Sequence, residues 1–146
     1  MQKNDSEKLY KKYIAIKENN KNKWSKEFFK KIFLDKKTFF FFHKKNSRGY
    51  LIARKILDEF EILSLATNKN YFRKGIASEL IDLLIDEAKE IGVKKIFLEV
   101  ATLNVAAISL YTKMGFIIIG KRNGYYIKNG KKQDAYNMVI NINRKI

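Results

Sequence analysis

Apolar residues recur along this chain with two different periods, and the changes of period mark out its elements. From Ile76 to Ile91 the residues Ile76, Leu80, Leu84, Ala88 and Ile91 fall at helical spacing, with Ile81 and Ile85 widening the stripe. Gly92 is well placed to end that helix in a left-handed cap. Just before it, Phe60 to Thr67 is a short apolar run that reads as a strand. Just after it, Lys95 to Val100 reads as a buried strand. A strand–helix–strand unit of this length predicts a parallel pair.

The flanking segments follow the same logic. Ser6 to Glu18 predicts a helix whose apolar face, Tyr10, Tyr13 and Ile14, is narrow, and Asn19 to Lys23 is a polar break. Ser25 can cap a second helix carrying Phe28, Phe29, Ile32 and Phe33, with Glu27 in its first turn. Thr38 to Lys44 reads as an aromatic strand, Asn46 to Gly49 as a turn, and Tyr50 to Leu57 as the antiparallel partner. Asp58-Glu59 then turns the chain into the next strand. Downstream, Asn104 can cap a helix bearing Ala107, Leu110, Tyr111 and Met114, closed by Gly115. Phe116 to Gly120 and Asp134 to Ile142 are two final strands. Residues 1–146 contain no linker or repeat, so this order predicts one mixed α/β domain.

Composition narrows the chemistry. The chain has 146 residues, long enough to bury a core, with 46% hydrophobic and 14% aromatic content. It carries 31 basic against 15 acidic residues, a formal charge of +16. That balance favours acidic partners such as nucleic acid, a ribosome or a phosphorylated cofactor. A second explanation has even weight: 26 Lys against 5 Arg, abundant Asn and no Pro also fit AT-rich coding. There is no Cys, which excludes disulfides, Cys-ligated metal and a thiol nucleophile. The single His43 lies in a Phe-rich run and reads as structural, so neither a His-based triad nor a His metal cluster can be assembled, and no metal is expected. No apolar run approaches a membrane span and no signal-peptide core is present, which predicts a soluble cytoplasmic protein without membrane partners.

Three places carry candidate chemistry. Phe72-Arg73-Lys74-Gly75-Ile76-Ala77-Ser78 is a basic, Gly-containing turn that opens a helix after a strand. Backbone N–H groups there lack intrahelical acceptors and the helix dipole is positive, so the turn suits phosphate. Glu99 is the odd residue of its strand, on the face shared with Phe97. It must either pair with a nearby Lys at the sheet rim or face a cleft, where a general base could work. Tyr111 lies twelve residues later on a helix, either packed in the core or with its hydroxyl toward that cleft.

These residues resemble a known family. Phe72 to Ala77 is similar to the (Gln/Arg)-x-x-Gly-x-(Gly/Ala) motif of the GNAT acetyltransferases. Leu98-Glu99-Val100, Asn104, Ala107, Ile108, Leu110-Tyr111 and Gly115-Phe116 are similar to its second hallmark, Leu-Glu-Val…Asn…Ala-Ile…Leu-Tyr…Gly-Phe. Trp24-Ser25, Arg122-Asn123-Gly124-Tyr125-Tyr126 and the strand start Asp134-Ala135 resemble features of the ribosomal-protein-alanine N-acetyltransferases within that family, which acetylate the N-terminal Ala of small-subunit protein S18. The resemblance covers Trp24 to Ile142.

The resemblance implies an α/β fold: a mixed, mostly antiparallel sheet with a central splayed parallel strand pair, flanked by helices. It also implies acetyl-CoA as co-substrate, with Leu65, Ala66 and Thr67 along the pantetheine, the N–H groups of Arg73, Lys74, Gly75, Ile76, Ala77 and Ser78 on the pyrophosphate, and Asn104 further along the cofactor. By the same match Glu99 is the general base and Tyr111 the acid for the departing thiolate, while Trp24, Tyr125 and Tyr126 belong to the substrate groove. The implied acceptor is a protein N-terminus, S18 foremost, and the positive charge is compatible with ribosome association. The alternatives are a lysine, polyamine or other amine acetyltransferase of the same family, or a non-catalytic acyl-CoA- or RNA-binding module. No base-reading motif is present, so sequence-specific nucleic-acid binding is not expected.

Three departures stand out. Phe72 replaces the first polar residue of the pyrophosphate motif, and Ala101-Thr102-Leu103 replaces an Arg-x-Ser, removing a basic group close to Glu99. Only Met1 to Asp5 precede the first helix, leaving little for the family's first strand. No acidic cluster of the kind a small cationic amine would need is visible along the chain.

Overall fold

A computed structural model describes residues 3–17, 23–43, 48–128 and 130–143. In chain order the elements are α1 (Lys3–Ile16), α2 (Lys26–Leu34), β1 (Thr38–Phe42), β2 (Gly49–Ile56), β3 (Glu59–Thr67), a single 3-10 turn (Lys69–Tyr71), α3 (Ile76–Ile91), β4 (Lys95–Ala101), α4 (Val105–Met114), β5 (Ile117–Lys128) and β6 (Lys131–Asn141). The six strands follow the order β1-β2-β3-β4-β6-β5, and among the described residues no strand precedes α1. β3 and β4 pair in parallel over Glu59–Glu61 with Lys95–Phe97, as the strand–helix–strand pattern requires. The β1–β2, β4–β6 and β5–β6 ladders are antiparallel. No described helix is long and apolar enough to cross a membrane.

The chain divides into two compact units: residues 1–55 with 63–84, and residues 56–62 with 85–146. In the first, the narrow face expected of α1 proves wider, because Tyr13 and Ile16 are both buried. They join Phe29, Phe33, Tyr50 and Ile52 in one core, with Tyr10, Trp24, Phe40 and Leu63 packed against it. Tyr13 lies 5.1 Å from both Phe29 and Tyr50, ring centroid to centroid. Rings of this size remove a large apolar area per residue, and buried hydroxyls must find partners. They do so here. The Tyr13 hydroxyl accepts from the Trp24 N–H at 2.8 Å, and the Tyr50 hydroxyl shares a hydrogen bond with Ser64 Oγ at 2.7 Å. Burial pushes both phenols above their ordinary range, so they stay neutral. Ser25 caps α2 as expected, accepting from the Phe28 N–H at 3.1 Å. The predicted turn at 46–49 lies mostly outside the described residues.

In the second unit, the buried residues of β3 and β4 alternate with exposed or half-buried ones, whereas β6 buries Ala135 and the adjacent pair Met138 and Val139. Phe60, Ile96, Leu98, Val100, Ala135 and Met138 are buried. In this unit two boundaries differ from expectation by three residues or more. β5 continues past Gly120 to Lys128, and β6 begins at Lys131 rather than Asp134. Gly120, Gly124 and the charges between them look like a turn in sequence. The ladder nevertheless continues through two register irregularities, between Ile118 and Gly120 and between Arg122 and Tyr126. α3 has the predicted bounds, with Ile76, Leu80, Ile81, Leu84 and Ala88 buried, although Ile91 in its last turn is exposed.

Leu57-Asp58 is the two-residue turn between β2 and β3. Leu57 has φ 56° and is 85% exposed, so a bulky residue occupies left-handed backbone at the surface. That conformation costs an L-residue about 1–2 kcal/mol, and Asn tolerates it better. Leu57→Asn is expected to raise stability by about 0.5–1 kcal/mol, a melting shift of about 2–4 °C. A melting curve that stays put or moves down would contradict the strain assigned to Leu57.

Candidate active site

The helix-opening turn lies in the first unit. After Thr67, Asn68 accepts from the Asn70 N–H at 3.0 Å and starts the short 3-10 turn. Arg73 then takes φ 63° and Gly75 φ 75°, which swings the chain into α3. Arg73, Lys74 and Gly75 are all exposed. A β-carbon on Gly75 would meet nothing within 4 Å, so glycine is required here for its backbone conformation and for an open approach. The first hydrogen bond of the helix runs from the Glu79 N–H to the Gly75 carbonyl at 3.0 Å. The N–H groups of Ile76, Ala77 and Ser78 therefore have no intrahelical acceptor and point out of the positive end of a 16-residue helix. Phe72, in the position where the motif is usually polar, is 60% exposed.

What seats this helix start is Gly49, the first residue of β2. A β-carbon there would stand 2.7 Å from Ile76 Cγ2 and 3.0 Å from the Ala66 carbonyl oxygen. Only a residue without a side chain lets the first turn of α3 lie so close to β2 and the end of β3. Leu65, Ala66 and Thr67 at that end are each half-buried. His43 is buried and hydrogen-bonded to Glu79 on α3, in keeping with a structural role.

The second unit holds Glu99 and Tyr111. Glu99 stands on β4 level with Asn137 of β6, which is level with Gly120 of β5. A cavity of about 360 Å³ opens on this part of the sheet, with Glu59, Glu61, Phe97, Glu99, Ile119 and Asn137 in its lining. The sequence left Glu99 between a salt bridge and a cleft, and the structure provides both. The cation is Arg122 on β5, however, not a lysine at the rim. Its Nη1 donates to Glu99 Oε1 at 3.0 Å, with the Glu99 side chain 24% exposed and that of Arg122 53%.

The cavity also corrects the expectation that the chain has no acidic cluster. Glu59 and Glu61 reach the same cavity as Glu99 because β3 and β4 pair in register, 38 residues or more apart in sequence. They form no group that could hold a metal ion among the described residues.

Tyr111 is 8% exposed on α4, its ring 5.7 Å from Phe116. The helix ends at Gly115 with φ 106°, and the Phe116 N–H donates to the Tyr111 carbonyl at 3.0 Å. Asn104 caps α4 by accepting from the Ala107 N–H at 3.2 Å and is exposed. Trp24, in the first unit, packs on Tyr13 at 5.6 Å and edge-on to Phe28 at 5.2 Å, and its carbonyl accepts from the Tyr10 hydroxyl. Tyr125 and Tyr126 lie in the backbone of β5, and their side chains fall outside the described residues.

Residues 6–116 match the acetyltransferase (GNAT) family. The chain belongs to that family. Its mixed six-stranded sheet, with β3 and β4 parallel, is the GNAT fold. Among curated relatives, the [ribosomal protein bS18]-alanine N-acetyltransferase of Escherichia coli (strain K12) is 35% identical over 94 residues, covering 64% of this chain and 64% of the relative. N-alpha-acetyltransferase 30 of Saccharomyces cerevisiae is 33% identical over 81 residues, covering 56% of this chain and 44% of that protein. The crystal structure of the ribosomal-protein-S18-alanine N-acetyltransferase from Escherichia coli superposes with a TM-score of 0.85 at 26% identity, covering 99% of this chain and 92% of that one.

Residues that sequence reasoning passed over are Glu59 and Glu61, and Arg122 as anything beyond a motif letter. Asp134 supports the strand that carries Arg122. Its carboxylate accepts from the Gly124 N–H at 2.8 Å and pairs with Lys121 at 3.3 Å. The Gly124 hydrogen bond, then Lys121, hold the Asp134 carboxyl below its usual range.

Two outcomes follow for this scaffold. Gly49→Ala should lose about 1–3 kcal/mol through overpacking against Ile76 and Ala66; an unchanged urea midpoint would mean that the helix start is not seated on this glycine. Because Asp134 binds its proton more weakly folded than unfolded, its contribution is complete above the unfolded pKa of about 3.9 and is lost as pH falls through the folded value. Protection of the Gly124 amide against hydrogen exchange should thus drop below about pH 4. In Asp134→Asn that acid-dependent drop should vanish.

Proposed function

We propose that this chain transfers the acetyl group of acetyl-CoA to the N-terminal α-amine of a protein, with the N-terminal alanine of ribosomal protein S18 as its substrate and the cytoplasm as its place of action. The observation that carries the reading is Glu99, a carboxylate in an otherwise apolar strand that borders a cavity. Membership of the family and the likeness to bS18-alanine N-acetyltransferases support it.

Bound acetyl-CoA supplies an activated acetyl thioester. In this reading the N–H groups from Arg73 to Ser78 bind its pyrophosphate, and the exposed, open turn at Gly75 fits a bulky anion. The backbone of Leu65, Ala66 and Thr67 aligns the pantetheine, with an N–H there polarising the acetyl carbonyl. Asn104 lies further along the cofactor, and Trp24, Tyr125 and Tyr126 belong to the acceptor groove. Glu99 takes a proton from the α-ammonium, directly or through water, as the amine nitrogen bonds to the acetyl carbon. Tyr111 gives a proton to the sulfur as the carbon–sulfur bond breaks. The chain has no cysteine to carry the acetyl group as a thioester, and in this reading transfer occurs directly between the two bound substrates. An α-amine has a pKa of about 7.7–8.0, so it needs only modest help from a base.

One observation favours a second reading. Three glutamates in one cavity suit a polyamine or a lysine side chain better than the sequence suggested.

Turnover on a short Ala-starting peptide, on an N-terminally blocked lysine peptide and on spermidine separates the two. Activity confined to the blocked peptide or to spermidine would reject N-terminal specificity. Glu99→Gln and Tyr111→Phe are each expected to lower kcat by about 10²–10⁴-fold with the KM for acetyl-CoA nearly unchanged. Wild-type turnover in either variant removes that residue from the mechanism.

A further inference from the structure

The acceptor's ammonium has to reach the carboxylate of Glu99, yet Glu99 Oε1 already holds a cation, Arg122 Nη1 at 3.0 Å. We infer that Arg122 is a placeholder for the acceptor: acceptor binding is an exchange of cations at Glu99, with the guanidinium moving aside and remaining close by. This rests on the reading of Glu99 as general base.

The two partners are unequally placed for such an exchange. Glu99 is 24% exposed in an apolar strand, so the carboxylate needs a cation and cannot leave. Arg122 is 53% exposed at the end of a long, flexible stem, so water solvates its guanidinium once it is displaced. An ion pair this exposed is weak enough to be broken by a competing ligand. The backbone around Arg122 favours movement as well, since a register irregularity of the β5–β6 ladder lies directly beyond it.

The other charges nearby support the exchange. β3 contributes Glu59 and Glu61 to the cavity, β6 contributes the neutral Asn137, and Lys121, next to Arg122, is engaged by Asp134. Among the described residues that line it the cavity has three glutamates, so it keeps its preference for a cation after Arg122 gives way. Arg122 then has a second effect. A permanent positive charge beside the bound amine disfavours its ammonium form and favours the neutral, nucleophilic one. The residue therefore weakens acceptor binding and assists the step that follows.

These two effects predict opposite movements of two constants. In Arg122→Met the KM for the Ala-starting peptide should fall about two- to fivefold, since the Arg122 guanidinium no longer competes. In the same variant kcat should fall several-fold, while the KM for acetyl-CoA and the melting temperature stay near wild type. Arg122→Lys should bring both constants back toward wild type. Methylguanidinium should compete with the peptide in Arg122→Ala and far less in the wild-type enzyme. A merely structural role would lower the melting temperature and move none of the rest.

An acceptor KM that is unchanged or higher in Arg122→Met, with Glu99→Gln inactive, overturns the placeholder while leaving the base intact. Full activity of Glu99→Gln rejects the base and this inference together.

Discussion

The parallel pairing of β3 with β4 is the constraint on which the rest of this chain depends. Two parallel neighbours cannot be joined by a tight turn, so the chain must insert a crossover of a dozen or more residues. That crossover is α3. Once it exists, a helix has to begin soon after β3 ends, and its first N–H groups are left without intrahelical acceptors. The candidate phosphate cradle is thus a by-product of the topology, refined by Gly75 and by Gly49 beneath the helix start. The same pairing also brings Glu59 and Glu61 to the cavity bordered by Glu99. A chain with only 15 carboxylates against 31 basic residues collects three of them at one cavity, which makes local charge more informative than the +16 total.

The elements legible in the sequence are those bounded by local chemistry. α3 starts and stops where expected because a left-handed glycine stands just outside each end, at φ 75° and 84°. α4 is equally readable, since Asn104 and Gly115 perform the two capping tasks their residue types suit. β5 was not readable past Gly120, because bulged ladders tolerate the glycines and charges that otherwise signal a turn. For the candidate site the division is similar. The turn from Phe72 to Ser78 is a contiguous motif and could be seen directly. The surroundings of Glu99 could not, since they depend on the register of β4 with β6 and of β6 with β5, neither of which is a local property. Trp24 shows the reverse difficulty. Its motif suggested a substrate groove, while its visible work is stacking on Tyr13 and holding hydrogen bonds with Tyr10 and Tyr13.

The departure at Ala101-Thr102-Leu103 takes on a different meaning beside this geometry. Sequence comparison suggested that Glu99 had lost a basic neighbour from the segment directly after its own strand. The structure gives it Arg122, delivered across β6 from β5. The two sources of charge are not equivalent. A basic residue at position 101, the last of β4, would be carried by the same strand as Glu99 and would move with it. Arg122 stands on a separate strand beside a register irregularity, with a half-exposed side chain and a second anchor next to it in the Lys121–Asp134 pair. An ion pair formed between strands can open without disturbing the carboxylate, whereas one formed within a single strand is harder to open independently. For a carboxylate proposed to exchange one cation for another, the cross-strand arrangement is the more suitable.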